Sequence, residues 1–452
     1  MQQDIRISKS FSVAHKKAFK QQLLAWTKQF DTVFFLDSNA YKQDKYAVYE
    51  CLVAVENYEE AKRKKRIFEP QKNTFDVLYD FHSQKKDWLF GFFAYDLKNE
   101  IADLHSQNID EIEMSNCVFV QPNIVFTLQK NGVLEIACLK KEEKIADATL
   151  IFEEIKNIQV ADFEEKTQAN EKNVLEKRLS QNEYIAKVEA LQKHINYGNI
   201  YEVNFCQEFY KKNININAYQ TFRQLNEKAN APFSAFMRLQ HQYLMCGSPE
   251  RFMKKNGQKV ISQPIKGTIK RGKTAAEDEF LKEKLRKDPK ECAENVMIVD
   301  LVRNDLTPFA EFGSVKVPEL LGVYSFKTVH HLISTIAADV RKNKQFTDVI
   351  KAAFPMGSMT GAPKLRAMQL IEEFEATKRG LYSGTVGYIT PTADFDFNVV
   401  IRSLLYNAKK RYLSLQVGSA ITHQALPSQE YEECLLKAVS YTHLRAHETS
   451  EN

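Results

Sequence analysis

Lys266 stands between a proline turn and a glycine, in the run Gln263-Pro264-Ile265-Lys266-Gly267-Thr268. The proline fixes the backbone ahead of the lysine and the glycine frees it behind, so the amine can be buried and aimed. An amine attacks carbon only after it has lost its proton. Burial, with the cations of Lys270 and Arg271 in the same segment, would lower its pKa towards neutrality. The hexapeptide also suits a plain surface turn with a solvated lysine.

Two carboxylate pairs recur at a spacing of three, Glu291 with Glu294 and Glu430 with Glu433. On a helix each pair shares one face. Four carboxylates brought together would repel one another, and a hard dication such as Mg²⁺ would relieve this, using one or two carboxylates, waters and a substrate oxygen. Each pair alone fits a solvated helix face. Glu291 also suits a capping box with Asp288, and Glu56 and Glu59 share the spacing with no chemistry in view. The run Gly357-Ser358-Met359-Thr360-Gly361-Ala362-Pro363-Lys364 leads into a helix, where free backbone N–H groups could hold a carboxylate or phosphate; it also reads as a tight loop with a proline start.

A competing motif overlaps the lysine turn. Gly267-Thr268-Ile269-Lys270-Arg271-Gly272-Lys273-Thr274 fits the phosphate-loop expression G-x-x-x-x-G-K-[ST], and Val296-Met297-Ile298-Val299-Asp300 resembles its Mg²⁺-holding partner. That would make the chain a nucleotide hydrolase. Against it, Ile269, Lys270 and Arg271 fill with side chains a loop that must wrap phosphate with backbone, and Asp300 continues a helix that starts at Asp288-Pro289.

These groups need elements to hold them. Ser180 and Glu183 form a capping box for a helix carrying Tyr184, Ile185, Val188, Leu191 and Ile195 on one face, with Gly198 as its stop. Tyr201, Val203 and Phe205 then alternate with polar residues, which predicts a half-buried strand. A second helix begins at Asp288-Pro289, and a third follows Pro363 with Met368, Ile371 and Phe374 inward. Strands are expected over 90–95, 382–388, 398–401 and 412–417. The chain divides into an N-terminal region, 1–160, a polar connection over 164–177, a second region, 178–438, and a tail, 440–452, that carries no assigned function.

Composition narrows the classes. The 452 residues, 44% hydrophobic and 27% charged, can bury a large core, and 63 basic against 58 acidic side chains leave a net charge of +5. That balance argues against nucleic acid or an anionic membrane as partner. No basic-then-apolar leader opens the sequence and no apolar run reaches membrane length. Seven scattered cysteines without a CxxC pair fit a reducing cytoplasm better than a disulfide frame or a zinc site.

Taken together, the motifs resemble the chorismate-utilising enzymes. The resemblance is dense over 180–437. It runs through Gly247-Ser248-Pro249-Glu250-Arg251-Phe252, the Lys266 turn, Ala293-Glu294-Asn295, and Asp300-Leu301-Val302-Arg303-Asn304-Asp305-Leu306. It continues through His331-Leu332-Ile333-Ser334, Thr360-Gly361-Ala362-Pro363-Lys364, Tyr382-Ser383-Gly384, Ile401-Arg402-Ser403 and Glu430-Tyr431-Glu432-Glu433. The N-terminal region matches more loosely, at Leu36-Asp37-Ser38 and 91–96. The resemblance implies an α/β (α+β) fold of two antiparallel sheets packed face to face, with helices outside.

Within the family, a lysine at position 266 points to the members that place ammonia on C4 of chorismate. Anthranilate synthases, the nearest alternative, carry alanine there. Isochorismate and salicylate synthases use a different lysine to activate water, and its place here is taken by Glu202. An inactive chorismate- or tryptophan-binding subunit is a further alternative. The family mechanism assigns Lys266 to attack ring C2 while Glu250 protonates the departing C4 hydroxyl; ammonia then adds at C4 and expels the lysine. Glu250 must therefore hold its proton, and Lys266 must lose its own, a pKa drop of about three units equivalent to about 4 kcal/mol. Mg²⁺ on the ring carboxylate would be held by Glu294 and Glu433, with Glu291 and Glu430 acting through water, and Gly267 and Thr268 would help bind that end of the substrate. Arg402, supported by Tyr382, would take the enolpyruvyl carboxylate. His331, Thr360, Gly418 and Lys437 complete the implied substrate contacts, although the late glycine turn reads Val417-Gly418-Ser419-Ala420-Ile421 here. Ser38 matches a position that can bind tryptophan. No G-x-C-x-G elbow occurs, so the resemblance implies a separate glutamine amidotransferase subunit as ammonia source. The product would lead to 4-aminobenzoate and folate.

Overall fold

The computed structural model describes residues 5–140, 147–160 and 175–442, with the side chains of 439–442 excepted. Most of the expected connection over 164–177, and the tail beyond 442, lie outside the described residues. Two antiparallel sheets face each other. The larger, twelve-stranded, runs in spatial order Arg6–Ser12, Val133–Leu139, Ile124–Gln129, Tyr49–Glu56, Thr32–Asp37, Phe233–Leu239, Gln242–Ser248, Ser403–Asn407, Tyr412–Ile421, Glu202–Lys211 and Gly361–Ala362, with Glu176–Lys177 beside Glu202–Lys211. Ten strands make the smaller sheet, including Leu89–Phe93, Thr385–Ile389, Phe395–Asn398, Arg251–Asn256, Lys259–Gln263, Val329–Asp339 and Ile265–Lys270.

Side-chain alternation explains the layering. In Thr32–Asp37, Phe34 joins the core between the sheets, while Val33 and Phe35 join the core under the helices; Leu52 and Ala54 against Val53 and Val55 repeat this in Tyr49–Glu56. Strands from the first 160 residues pair directly with later ones, Thr32–Asp37 with Phe233–Leu239 and Leu89–Phe93 with Thr385–Ile389, so both parts of the chain build both sheets.

The helix Gln181–Asn196 carries the capping box of Ser180 and Glu183 and buries Tyr184, Val188 and Leu191. Lys364–Phe374 buries Met368 and Ile371, with Phe374 only half-buried. Glu202–Lys211 departs from a half-buried strand. Val203 and Phe205 pack under the helices, but Glu202, Asn204 and Glu208 on the opposite face are buried too, while Tyr201 is 69% exposed. The polar face of this strand looks into the space between the sheets rather than into water.

Two crossings between the sheets matter most for the site. The chain leaves the larger sheet at Ser248 and enters the smaller at Arg251, through Pro249 and Glu250. It returns from Asn398 to Ser403 through Arg402, which has a left-handed backbone, φ 50°. The Gly247 N–H donates to the Arg402 carbonyl and the Val399 N–H to the Glu250 carbonyl, both at 3.0 Å, so the crossings are tied together.

Candidate active site

Lys266 sits where its strand slips register. Ile265 pairs with Ile333 and Thr268 with His331, and the irregularity between them holds Lys266 and Gly267. A bulge re-aims a side chain out of the sheet's alternation. Gly267 has φ 96°, and a Cβ there would lie 2.9 Å from Leu332 Cδ1 and 3.2 Å from Glu291 Oε2, so the position requires glycine. Asn295 fixes the turn by donating to the carbonyls of Lys266 (3.0 Å) and Leu332 (3.2 Å), and the Ser334 hydroxyl donates to Asn295 Oδ1 (2.6 Å).

The lysine side chain is only 11% exposed, and its ammonium is paired with the buried carboxylate of Glu202. Burial pushes its pKa down, but Glu202 beside it, with Glu294 and Glu250 nearby, outweighs burial, so the pKa stands above its ordinary value. This corrects the expectation of an amine neutralised by cations. Lys270 is exposed, and Arg271 turns to Asp278 at 2.7 and 2.8 Å. The correction reaches the phosphate-loop reading as well. Ile265–Lys270 is a strand, the N–H groups of Gly272 and Lys273 are taken by Asp278 and Glu277, and Asp300 lies inside the helix Pro289–Leu306. Asp288 caps that helix through the N–H groups of Lys290 and Glu291.

Glu250 is 4% exposed, and burial pushes its carboxyl up to about 7. The Ser358 hydroxyl donates to it at 2.7 Å. Glycine loop 357–364 thus serves this acid, while Lys364 binds Asp305 (2.6 Å) and the Ala353 carbonyl (3.2 Å). A cavity of about 10 Å³ lies against Glu250, Pro264, Asp305 and Ser358.

His331 links two of the expected substrate contacts. Arg402 lies 2.9 Å from its Nε2 and Thr268 Oγ1 lies 2.8 Å from its Nδ1. A guanidinium only donates, so Nε2 accepts and Nδ1 carries the proton towards Thr268. Burial, then the Arg402 charge, holds His331 well below the usual histidine range, in keeping with a neutral ring.

The carboxylate pairs fall on two helices, Glu291 and Glu294 on Pro289–Leu306, Glu430 and Glu433 on Pro427–Thr442. Burial pushes Glu294 up to about 7, with Glu202 and Glu291 adding to it. Burial also raises Glu291 and Glu430, and Glu433 adds to both, so charges from the two helices feel each other. Glu291 accepts the Thr268 N–H (3.2 Å), Glu430 accepts the Ser419 hydroxyl, and Glu433 meets Lys437 (2.6 Å). Among the described residues no three His, Cys, Asp or Glu side chains converge as a ready cage. Hard oxygen donors with excess negative charge nevertheless fit Mg²⁺ in donor type and charge, provided these side chains turn from their present partners.

Other expected contacts are engaged within the protein. Tyr382 is buried with its phenol towards the Cys206 thiol, not Arg402. The Thr360 hydroxyl is held by the carbonyls of Met356 and Gly357. Gly418 pairs with Cys206 across the sheet, and its carbonyl accepts from Lys437 at 2.8 Å. Ser38 lines a different cavity, of about 70 Å³, with Asp44, Arg251 and Asp396; its hydroxyl donates to the Glu50 carbonyl at 2.9 Å. Sequence reasoning missed Ser358, Asn295 and the pairing of Glu202. Only Asn295 left a signal, as the residue next to Glu294 in the Ala293-Glu294-Asn295 motif.

Comparison with known proteins bears on the family and the fold. The family described as chorismate binding enzyme matches residues 31–443. A component 1 of aminodeoxychorismate synthase from Klebsiella aerogenes is 40% identical over 265 residues, 59% of this chain and 58% of that protein. A probable chloroplastic aminodeoxychorismate synthase from rice (Oryza sativa subsp. japonica) is 34% identical over 397 residues, 80% of this chain and 43% of that protein. The chain spans about half the length of these relatives. Anthranilate synthase component I from Streptococcus pneumoniae shares the fold, with a TM-score of 0.69 over 96% of this chain and 92% of that one, at 22% identity. Among the described residues no helix is long and apolar enough to cross a membrane. The chain belongs to the family of chorismate binding enzymes.

Proposed function

We propose that the chain aminates chorismate at C4, giving 4-amino-4-deoxychorismate, the activity of an aminodeoxychorismate synthase. One observation carries this reading: a buried lysine amine and a buried carboxyl at about 7 stand in one site, the Glu250 carboxyl feeling the charges of both Lys266 and Arg402. A nucleophile, an acid still protonated near neutrality, and a cation for a carboxylate are what the displacement needs. Lys266 attacks C2 and Glu250 gives its proton to the hydroxyl leaving C4 as water. Ammonia then bonds to C4 and releases the lysine. Arg402, steadied by neutral His331, binds the enolpyruvyl carboxylate.

Mg²⁺, bound by Glu294 and Glu433 with Glu291 and Glu430 behind them, would pin the ring carboxylate and offset the charge of the acidic helices. Ammonia comes from a glutamine amidotransferase partner. The name component 1 of the Klebsiella relative fits such a division. The cysteines of this chain fit it too: six are buried, and burial raises all seven thiols above their ordinary pKa, which suits packing rather than attack on glutamine.

The test is product identity. Purified protein with chorismate, Mg²⁺ and ammonium is expected to yield 4-amino-4-deoxychorismate. Anthranilate would replace this reading with that of an anthranilate synthase, ATP turnover without loss of chorismate would revive the nucleotide reading, and no product would leave a binding subunit.

A further inference from the structure

Two glutamates on the strand Glu202–Lys211 show what sets one of them apart. Glu202 and Glu208 lie six residues apart on the same face, and both are buried, at 1% and 3% exposure. Glu208 is saturated: Arg178 donates from Nε (3.0 Å) and Nη2 (2.7 Å), Tyr412 from its phenol (3.0 Å) and Ser414 from its hydroxyl (2.7 Å). Glu202 has Lys266 on Oε1, and its buried Oε2 has no hydrogen-bond partner among the described residues. Both oxygens of Glu208 are thus engaged twice over, whereas Glu202 keeps one oxygen open to accept a proton. The open oxygen lies on the carboxylate that Lys266 touches, where a proton could be received.

We propose that Glu202 is a catalytic residue, the base that takes the proton of Lys266 and returns it at the end of the cycle. The proposal rests on the amination reading above. Lys266 holds a proton in the resting protein and must shed it before attack. Its ammonium is faced by Glu202, Glu294 and Glu250, and of these Glu202 alone touches it. Passing the proton along that contact turns a buried ion pair into two neutral groups, and desolvation favours the neutral form of each.

The step balances. An Nζ–H bond breaks and its proton goes to the Glu202 carboxylate, leaving the pair of electrons on nitrogen. Nζ bonds to C2, the two ring double bonds shift, and the C4–O bond breaks as Glu250 supplies the proton that makes water. In the second half ammonia bonds to C4, the double bonds shift back and the Nζ–C2 bond breaks. The ammonium formed on C4 gives a proton to Glu250, and the freed amine recovers its own from Glu202.

The experiment uses the full chain with chorismate and Mg²⁺, ammonium withheld, and follows adduct mass on Lys266 against time from weakly acid to alkaline pH. Glu202→Gln is expected to form the adduct about 100-fold more slowly than wild type at neutral pH. The ratio of variant to wild type should climb towards one in alkali, where the amine loses its proton to solvent. Taking the ratio cancels the pH dependence of Glu250. Chorismate affinity should stay within about threefold. Glu202→Asp, which keeps the base but shortens its arm, should fall between the two and serves if the glutamine variant does not fold. A ratio near one at neutral pH, or a slowed ratio that does not change with pH, overturns the proposal and leaves Glu202 a packing residue. Absence of adduct in wild type itself overturns the lysine step of the amination reading, and Glu202 as base with it.

Discussion

Two buried charge clusters lie close in sequence and differ in one respect. Arg251, next in the chain to Glu250, is 1% exposed and fully met: Asp44 at 2.8 and 3.0 Å, Asp396 at 2.9 and 3.2 Å, and Gln263 besides. Its attraction lowers Asp44 despite burial. Around Lys266 the balance is reversed. Glu202 has an unmet oxygen, Glu250 and Glu294 are pushed up to about 7, and His331 is driven neutral. Saturated charges hold a fold; under-satisfied ones can exchange protons at neutral pH.

The largest effect expected on this contrast is loss of chemistry without loss of fold. Lys266→Ala should reduce amination at least about 10⁴-fold while the protein still unfolds cooperatively. Activity within tenfold of wild type would erase the distinction between the clusters. Next in size is Arg251→Met, which leaves buried Asp44 without its guanidinium and Asp396 with Lys254 as its remaining ion-pair partner, and should cost about 3–5 kcal/mol in urea unfolding. Lys266→Met should cost less, because Lys266 meets one carboxylate where Arg251 meets two. Equal losses would mean that both clusters are simply structural.

The clusters should also respond to pH with opposite sign. Glu250 is raised from 4.5 to about 7, so the folded chain keeps a proton that the unfolded chain releases. Its stabilising contribution is complete below the unfolded value and is lost as pH rises through about 7, a swing of about 3 kcal/mol between wild type and Glu250→Gln. Asp44 is lowered, so its contribution is present above the ordinary carboxylate range and is lost in acid. Stability of Glu250→Gln and Asp44→Asn against wild type, measured across pH, checks both signs. A smaller effect concerns Mg²⁺: Glu430→Gln should raise the Mg²⁺ concentration for half-maximal activity about tenfold. Least affected is the other cavity. Ser38→Ala should leave amination within about twofold and change stability by about 1 kcal/mol, as fits loss of one hydrogen bond to the Glu50 carbonyl.

Much of this was legible in the chain. Ser180 and Glu183 announced their helix because a capping box is local. The spacing of Glu291 with Glu294 and Glu430 with Glu433 gave one-sided pairs, since i, i+3 geometry needs only a helix. The protonation of Lys266 could not be read that way. Its partner lies 64 residues earlier on another sheet, whereas the cations beside it in sequence point elsewhere. Nor could alternation in Glu202–Lys211 distinguish a polar face in water from one lining a cavity. Tyr382 was misplaced for a similar reason, because its turn sits near Arg402 in the chain-crossing region while its ring points to Cys206.

The most direct measurement is peptide mapping of the protein quenched during turnover of chorismate with Mg²⁺ and no ammonium. The peptide bearing Lys266 should gain the mass of chorismate less one water, and adding ammonium should discharge it into 4-amino-4-deoxychorismate. Product formation with Lys266 unmodified, or the same mass on a different side chain, would contradict the account.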